Sequence, residues 1–183
     1  FLLEARIDYL LDDTGLTVTI SAANLGEDPA PFGVGQHPYL AAGAPSIDRA
    51  HLRLPAGSWL EVDDRQLPTG RTVAVDGRLD FREQREIGET SLDHCFTGLE
   101  RDARGRASID LRGEDGVTVT LWMDGAWGWA QVFTADSLPR PLTRRALAVE
   151  PMTCPPDAFR SREGLIVLQP GERFTGSWGL TLR

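Results

Sequence analysis

LLDDTGLTVTIS, residues 10–21, is the stretch on which the fold turns. Leu16, Val18 and Ile20 alternate with Thr17, Thr19 and Ser21, the period of two that puts successive side chains on opposite faces of a half-buried strand. The turn residues DDTG at 12–15 join this run to the apolar run before it, so the segment predicts a β-hairpin. The same strand–turn–strand signal returns at GVTVTLWM (116–123), an Asp124-Gly125 turn and GWAQVFT (128–134). Towards the end, ALAVE (146–150), GLIVLQPGE (164–172) and FTGSWGLTL (174–182) are three more short β-rich runs punctuated by Pro and Gly. Between Asn24 and Gly35 the chain is dense in turn residues, and within 41–90 PTGRT and FREQREIGE read as turns and solvated loops between brief strands. No segment has the spacing of an amphipathic helix. With 19 glycines and 12 prolines in 183 residues, the pattern predicts an all-β protein, an antiparallel β-sandwich with many short strands and long loops.

The length fits one domain over residues 1–183, with room for this to be part of a larger all-β domain. Hydrophobic residues at 41% and charged residues at 25% are the balance of a globular chain that can bury a core, not of a disordered or collagen-like one. Nineteen basic against 27 acidic residues leave a net charge of −8, a field that repels phosphate backbones and anionic lipid heads, so neither nucleic acid nor a membrane is the expected partner. Every basic side chain apart from the histidines is Arg. The absence of Lys excludes a lysine Schiff base, a lysine base and a P-loop from this chain. Cys95 and Cys154 are not arranged as a CxxC or a Cys/His zinc motif, and read as small hydrophobes in a reducing compartment. The opening FLLEARIDYLL carries Glu4, Arg6 and Asp8 where a signal peptide needs an unbroken apolar core, so a cytoplasmic location is expected. It also starts without Met in a strand-like run, as expected of a chain cut from a longer sequence.

The chemistry-bearing residues fall in a few places. His37 in GVGQHPYL (33–40) follows a Gly-rich turn and precedes Pro38, which biases its backbone to an extended conformation. An imidazole held there suits proton transfer, although a structural His is the plainer reading of one residue alone. His51 and His94 complete the set, and the three lack the HxH, HxxxH or HExxH spacing that would put two ligands on one metal, so no metal site is expected. Asp93, in SLDHCF (91–96), lies in an apolar setting that could present a carboxylate to a ligand's hydroxyls, or could simply form a turn. Glu150 ends the run ALAV and is followed by PMTCPP, which stops the strand and leaves the carboxylate at its mouth. Burial there would lift its pKa and make it a general base; an exposed strand-end Glu is the alternative. The Trp-rich stretches LWM and WGW could stack on sugar rings, with core packing the stronger expectation for most. Neither a GxSxG elbow nor a dinucleotide fingerprint is present, so no organic cofactor is expected.

GVGQHPYL, LDHCF, AVEPMTCPPDAF and the closing LQPGE, in that order, resemble the aldose 1-epimerase (galactose mutarotase) family over nearly the whole chain. The resemblance implies a galactose mutarotase-like β-sandwich, N-terminally truncated, that binds an aldose without a metal or organic cofactor and interconverts its α and β anomers. By motif, His37 matches the family's general acid at the ring oxygen and Glu150 the base at the anomeric hydroxyl. Asp93 matches the carboxylate that binds sugar hydroxyls, and Gln131 in WAQVFT is a weaker candidate on a strand approaching the site. The chain departs from the family in lacking a preceding portion that carries an Arg and a second His, and Met152-Thr153-Cys154 stands where a Gln often follows the Glu. Three rivals stay open: a hexose-6-phosphate 1-epimerase on the same fold, a non-catalytic carbohydrate-binding protein with a platform of Trp122, Trp127 and Trp129, and a glycosidase using Asp93 and Glu150. The sequence leaves the preferred aldose and the oligomeric state undetermined.

Overall fold

A computed structural model describes residues 1–183. Its strands, numbered along the chain, form two main antiparallel sheets. The first has seven strands in the spatial order β1 (Leu3–Asp12), β2 (Gly15–Asn24), β15 (Arg173–Leu182), β11 (Thr118–Met123), β10 (Ala107–Arg112), β5 (His51–Arg53) and β8 (Arg85–Glu86). The second has six, in the order β4 (Tyr39–Leu40), β13 (Leu147–Met152), β12 (Trp129–Phe133), β9 (Asp93–Leu99), β6 (Ala56–Val62) and β7 (Pro68–Ala74). A small ribbon pairs β3 (Ala30–Phe32) with β14 (Ile166–Leu168). Helix is confined to one turn at Ala158–Ser161 and a 3₁₀ turn at Gly77–Leu79, and no helix is long and apolar enough to cross a membrane.

Alternation drives the packing. Val18 and Ile20 of β2, Ile109 and Leu111 of β10, and Leu121 and Met123 of β11 project from the seven-stranded sheet. They meet Phe96 of β9, Ala130 and Val132 of β12, and Leu147 and Val149 of β13 in one core of 27 buried residues. Two inner faces sharing a single apolar layer make this the β-sandwich that the sequence pattern predicts. The first hairpin stands as read: β1 pairs β2 with Asp12 opposite Gly15 across a two-residue turn.

At Asp124-Gly125 the structure departs from the hairpin reading. β11 lies in one sheet and β12 in the other, so the chain crosses the sandwich instead of folding back on itself. Two features force the crossing. Trp127, fully buried, drops between the sheets and donates its indole N–H to the Ser177 carbonyl at 3.0 Å. The Asp124 carboxylate accepts the backbone N–H groups of Ala126 at 2.9 Å and Ser177 at 2.7 Å, tying the arch to β15. A large apolar side chain just after the turn outweighs the local hairpin preference, because burying an aromatic of this size stabilises by about 2–3 kcal/mol. The region 41–90, weakest in the sequence, holds β5 to β8, all short or irregular strands at the far edges of the two sheets.

Candidate active site

The site is built across three adjacent strands. Register places Cys95 of β9 opposite Gln131 of β12, and Gln131 opposite Glu150 of β13. Their immediate neighbours Phe96, Ala130, Val132 and Val149 all enter the core. By the period of two, Cys95, Gln131 and Glu150 therefore project from the outer face of the six-stranded sheet in one row, with Asp93 two residues along β9 on the same face. Gln131 Nε2 donates to Asp93 Oδ1 at 2.7 Å. Cys95, Trp129 and Leu60, with Met152 against them, make an apolar floor at one side of this row.

His37 reaches the row from a separate segment. Residues 34–38 run along β13: Thr153 N–H donates to the Val34 carbonyl at 3.0 Å, Gln36 N–H to the Pro151 carbonyl at 3.1 Å and Val149 N–H to the Pro38 carbonyl at 3.2 Å. The Thr153 hydroxyl accepts Val34 N–H at 2.9 Å. Glycine is what allows this close approach. A Cβ at Gly33 would stand 2.5 Å from Cys154 Sγ, and one at Gly35 would stand 3.3 Å from Met152. The outcome is His37 Nε2 at 3.1 Å from Glu150 Oε1, with the His side chain 54% exposed and the Glu side chain 17%. Tyr39 stacks on the imidazole with ring centroids 5.0 Å apart and an interplanar angle of 28°.

Electrostatics separates these groups. Burial pushes the Glu150 carboxyl above the ordinary carboxylate range, the neighbouring Asp93 charge adds to the rise and the facing His37 opposes it. Cys95, buried in the floor and beside Glu150, is pushed up to about 12 and is a thiol rather than a nucleophilic thiolate at neutral pH. Glu150 is thus a carboxylate that readily takes a proton, in hydrogen-bond contact with an imidazole open to solvent. A second pair, Asp93 and Gln131, offers an acceptor and donors a short distance along the same face. That combination suits a polyhydroxylated ligand whose proton moves between two positioned groups.

The four sequence-predicted residues, His37, Asp93, Gln131 and Glu150, meet on one face although they come from four segments of the chain. His51 lies on the outlying strand β5, and His94 turns the other way, half-buried beside Trp59 and Phe96, where burial lowers its pKa. The Trp122, Trp127 and Trp129 platform does not exist. Trp127 is fully buried, Trp122 lies in the other sheet beneath the Arg106 guanidinium at 3.9 Å, and Trp129 is 7% exposed in the floor of the site. Five clefts of 350–470 Å³ elsewhere on the surface are lined by none of the four residues.

Residues that the sequence reading passed over hold the site in place. Leu92, the residue before Asp93, donates its N–H to the Thr134 hydroxyl at 2.8 Å and accepts Thr134 N–H at 2.9 Å. The same hydroxyl contacts Asp136, whose other carboxylate oxygen takes a hydrogen bond from Arg144 at 2.8 Å. Arg144 also binds Asp48 at 2.5 Å and the Gly88 carbonyl at 2.6 Å, and its side chain is only 15% exposed. One guanidinium thereby clamps the segment leading into β9 to the loop between β12 and β13. Tyr39 was legible as the second residue after His37 in an extended segment; the Arg144 network had no local signal, because its partners lie far apart in sequence.

The sequence profile described as aldose 1-epimerase matches residues 1–181, and the chain belongs to the aldose 1-epimerase family. Among curated relatives, the uncharacterized protein YihR of Escherichia coli K12 is 34% identical over 174 residues, covering 94% of this chain and 53% of its own length. The uncharacterized protein YphB of the same organism is 28% identical, with 94% and 57% covered. The chain therefore spans a little over half the length of the curated relatives it matches. Among solved structures, a GalM/aldose epimerase homologue from C. elegans superposes with a TM-score of 0.81 at 19% identity, covering 98% of this chain and 60% of that one. Galactose 1-epimerase from Lactobacillus acidophilus NCFM gives a TM-score of 0.76 at 20% identity, with 99% and 57% covered. At such identities the structural likeness establishes the galactose mutarotase-like fold.

Proposed function

We propose that this chain carries the catalytic face of an aldose 1-epimerase, interconverting the α and β anomers of a free aldose of the glucose or galactose type. The observation that carries the reading is the contact of 3.1 Å between His37 Nε2 and Glu150 Oε1 on the same sheet face as the Asp93–Gln131 pair. Anomer exchange needs a proton removed from the anomeric hydroxyl while another is delivered to the ring oxygen. Both oxygens are bonded to one carbon, so an acid and a base already in mutual contact span them. Glu150 takes the hydroxyl proton, the electron pair left on O1 forms the second C1–O1 bond of the carbonyl, the C1–O5 bond breaks and its electron pair takes the proton held by His37. Rotation about C1–C2 presents the other face of the aldehyde. Ring closure then returns the proton from O5 to His37 and the proton on Glu150 to O1, so the enzyme ends as it began. Asp93 and Gln131 hold ring hydroxyls and keep the open chain from leaving.

A carboxylate with a raised pKa is suited to this exchange, because base and acid strengths closer to neutrality let each group serve in both directions. The hexose-6-phosphate alternative would add a cationic subsite. Glu150 pairs with His37 and Asp93 with Gln131, and no Arg side chain pairs with any of the four, which favours an uncharged sugar. Polarimetry on freshly dissolved α-D-glucose and α-D-galactose tests the reading: a folded chain should hasten the approach to the equilibrium rotation. Equal rates with and without the folded chain would refute it, and acceleration restricted to the 6-phosphate would transfer the assignment to the alternative.

A further inference from the structure

Asp93 is the first residue of β9, where the strand has a ladder partner on one side only. On the β12 side, Leu92 N–H donates to the Thr134 hydroxyl at 2.8 Å and the Leu92 carbonyl accepts Thr134 N–H at 2.9 Å. Since an antiparallel ladder alternates, the N–H of Asp93, one residue on, points away from β12 and towards β6. No strand receives it there. The pairing of β6 with β9 runs from Ala56–Leu99 through Ser58–Thr97 to Trp59–Phe96 and stops, while β6 itself continues to Val62 alongside β7. Asp93 lies beyond the last pair.

The acceptor that strand pairing fails to supply comes from the next side chain. Asp93 N–H donates to His94 Nδ1 at 3.0 Å. The imidazole is itself wedged in place: its ring centroid is 5.1 Å from that of Trp59, edge to face at 80°, and 6.2 Å from that of Phe96. Trp59 and Phe96 are the last pair of the β6–β9 ladder, so the ring sits where β6 departs. An imidazole accepts at Nδ1 only when neutral, with its proton on Nε2. Burial favours that form by lowering the pKa of His94; the Asp93 carboxylate pulls the other way, and Arg78 adds to the lowering.

By the alternation of β9, the His94 ring lies on the core side of the sheet with Phe96, opposite the face that carries the Asp93 carboxylate, Gln131 and Glu150. It therefore meets the sugar only through Asp93. What depends on it is where that carboxylate stands, because the backbone of Asp93 sets the direction from which the carboxylate meets Gln131 Nε2 at 2.7 Å. A group that binds ligand hydroxyls serves only when held to within about 0.5 Å of its working position. We propose that His94 is a positioning residue for sugar binding: its Nδ1 takes the Asp93 amide that β6 leaves unpaired and so fixes the carboxylate that receives the sugar hydroxyls. The inference rests on the aldose site proposed above and assigns a function to a His that the acid–base chemistry does not use.

Two substitutions separate positioning from packing. In His94→Asn, Oδ1 stands where Nδ1 stood relative to Cβ and can take the same amide. In His94→Leu, the space beside Trp59 and Phe96 stays filled but the acceptor is gone. The leucine variant should lose protection of the Asp93 amide in hydrogen exchange followed by NMR. Its Kd and KM for α-D-galactose should rise about tenfold, with kcat changed by less than about threefold. The asparagine variant should keep the amide protected and hold Kd and KM within about threefold of the parent. A residue that only packs would give the reverse order, because Asn fills the space less well than Leu. An Asp93 amide still protected in the leucine variant, a leucine variant that binds galactose as tightly as the parent, or an asparagine variant as weak as the leucine one would each overturn the proposal. A parent chain that binds galactose without hastening its mutarotation would sink the epimerase reading alone, since Kd still decides the role of His94. A folded parent that does not bind the sugar would overturn both.

Discussion

Replacing Glu150 by Gln removes one proton acceptor and changes the shape of the site hardly at all. The carboxylate is largely buried, its only ionic partner is His37 at 3.1 Å, and the strand around it is held by β12 on one side and by the His37 segment on the other. A positioned general base is typically worth roughly 100- to 10,000-fold in rate, so turnover of α-D-galactose should fall about a thousandfold, ~4 kcal/mol in barrier. Stability should respond quite differently. The folded-state pKa of Glu150 is raised above its ordinary 4.5, so its protonated form is favoured by folding. That contribution is present below pH 4.5 and is lost as pH rises through the elevated value. Gln cannot ionise, so the variant should gain on the parent across that window. Against this stands the lost contact with His37, which is half exposed and worth at most about 1 kcal/mol. The two effects oppose, and melting temperatures near neutral pH should agree within a few degrees while activity collapses. In the parent, activity should climb with pH along an acidic limb lying above the ordinary carboxylate range, and that limb should vanish from the variant's residual rate. Polarimetry and thermal melts between pH 4 and 8 make the test; a variant retaining more than a tenth of parental turnover would refute the assignment of Glu150 as the base.

Gln131→Leu leaves the Asp93 carboxylate without its 2.7 Å partner, and should raise KM several-fold with a smaller change in kcat, as read from initial rates over a range of sugar concentrations. Leu121→Ala deletes a fully buried side chain from the shared core, and urea denaturation should record a loss of about 2–5 kcal/mol. Gly33→Val drives a side chain into Cys154 Sγ and should shift the His37 segment, lowering activity by more than its effect on overall stability, measured by parallel rate and melting experiments. Of the two thiols, both free, Cys154 should react with a thiol reagent faster than Cys95, whose pKa of about 12 and burial hold it inert until the chain unfolds; equal rates in native buffer would contradict the buried floor.

The alternation of Leu16, Val18 and Ile20 with Thr17, Thr19 and Ser21, the turn at 12–15 and the β-rich runs near the end were enough to specify strands, antiparallel pairing and a sandwich. Each of those properties is set by neighbours within a few residues. The residue types of the site were legible for the same reason: His37 between a Gly-rich turn and Pro38, and Glu150 between ALAV and PMTCPP, carry local signals of held side chains. Tertiary structure alone decided two other things. It turned Asp124-Gly125 into a crossing between sheets, because burying Trp127 outweighed a local preference. It brought Gln131 and Glu150 to opposing register positions and Asp93 within hydrogen-bond reach of Gln131, through pairings of β9, β12 and β13 that no short window contains. Period and turn chemistry are read from residues close in sequence, whereas registers between distant strands and burial of one side chain against another sheet depend on the whole chain's packing.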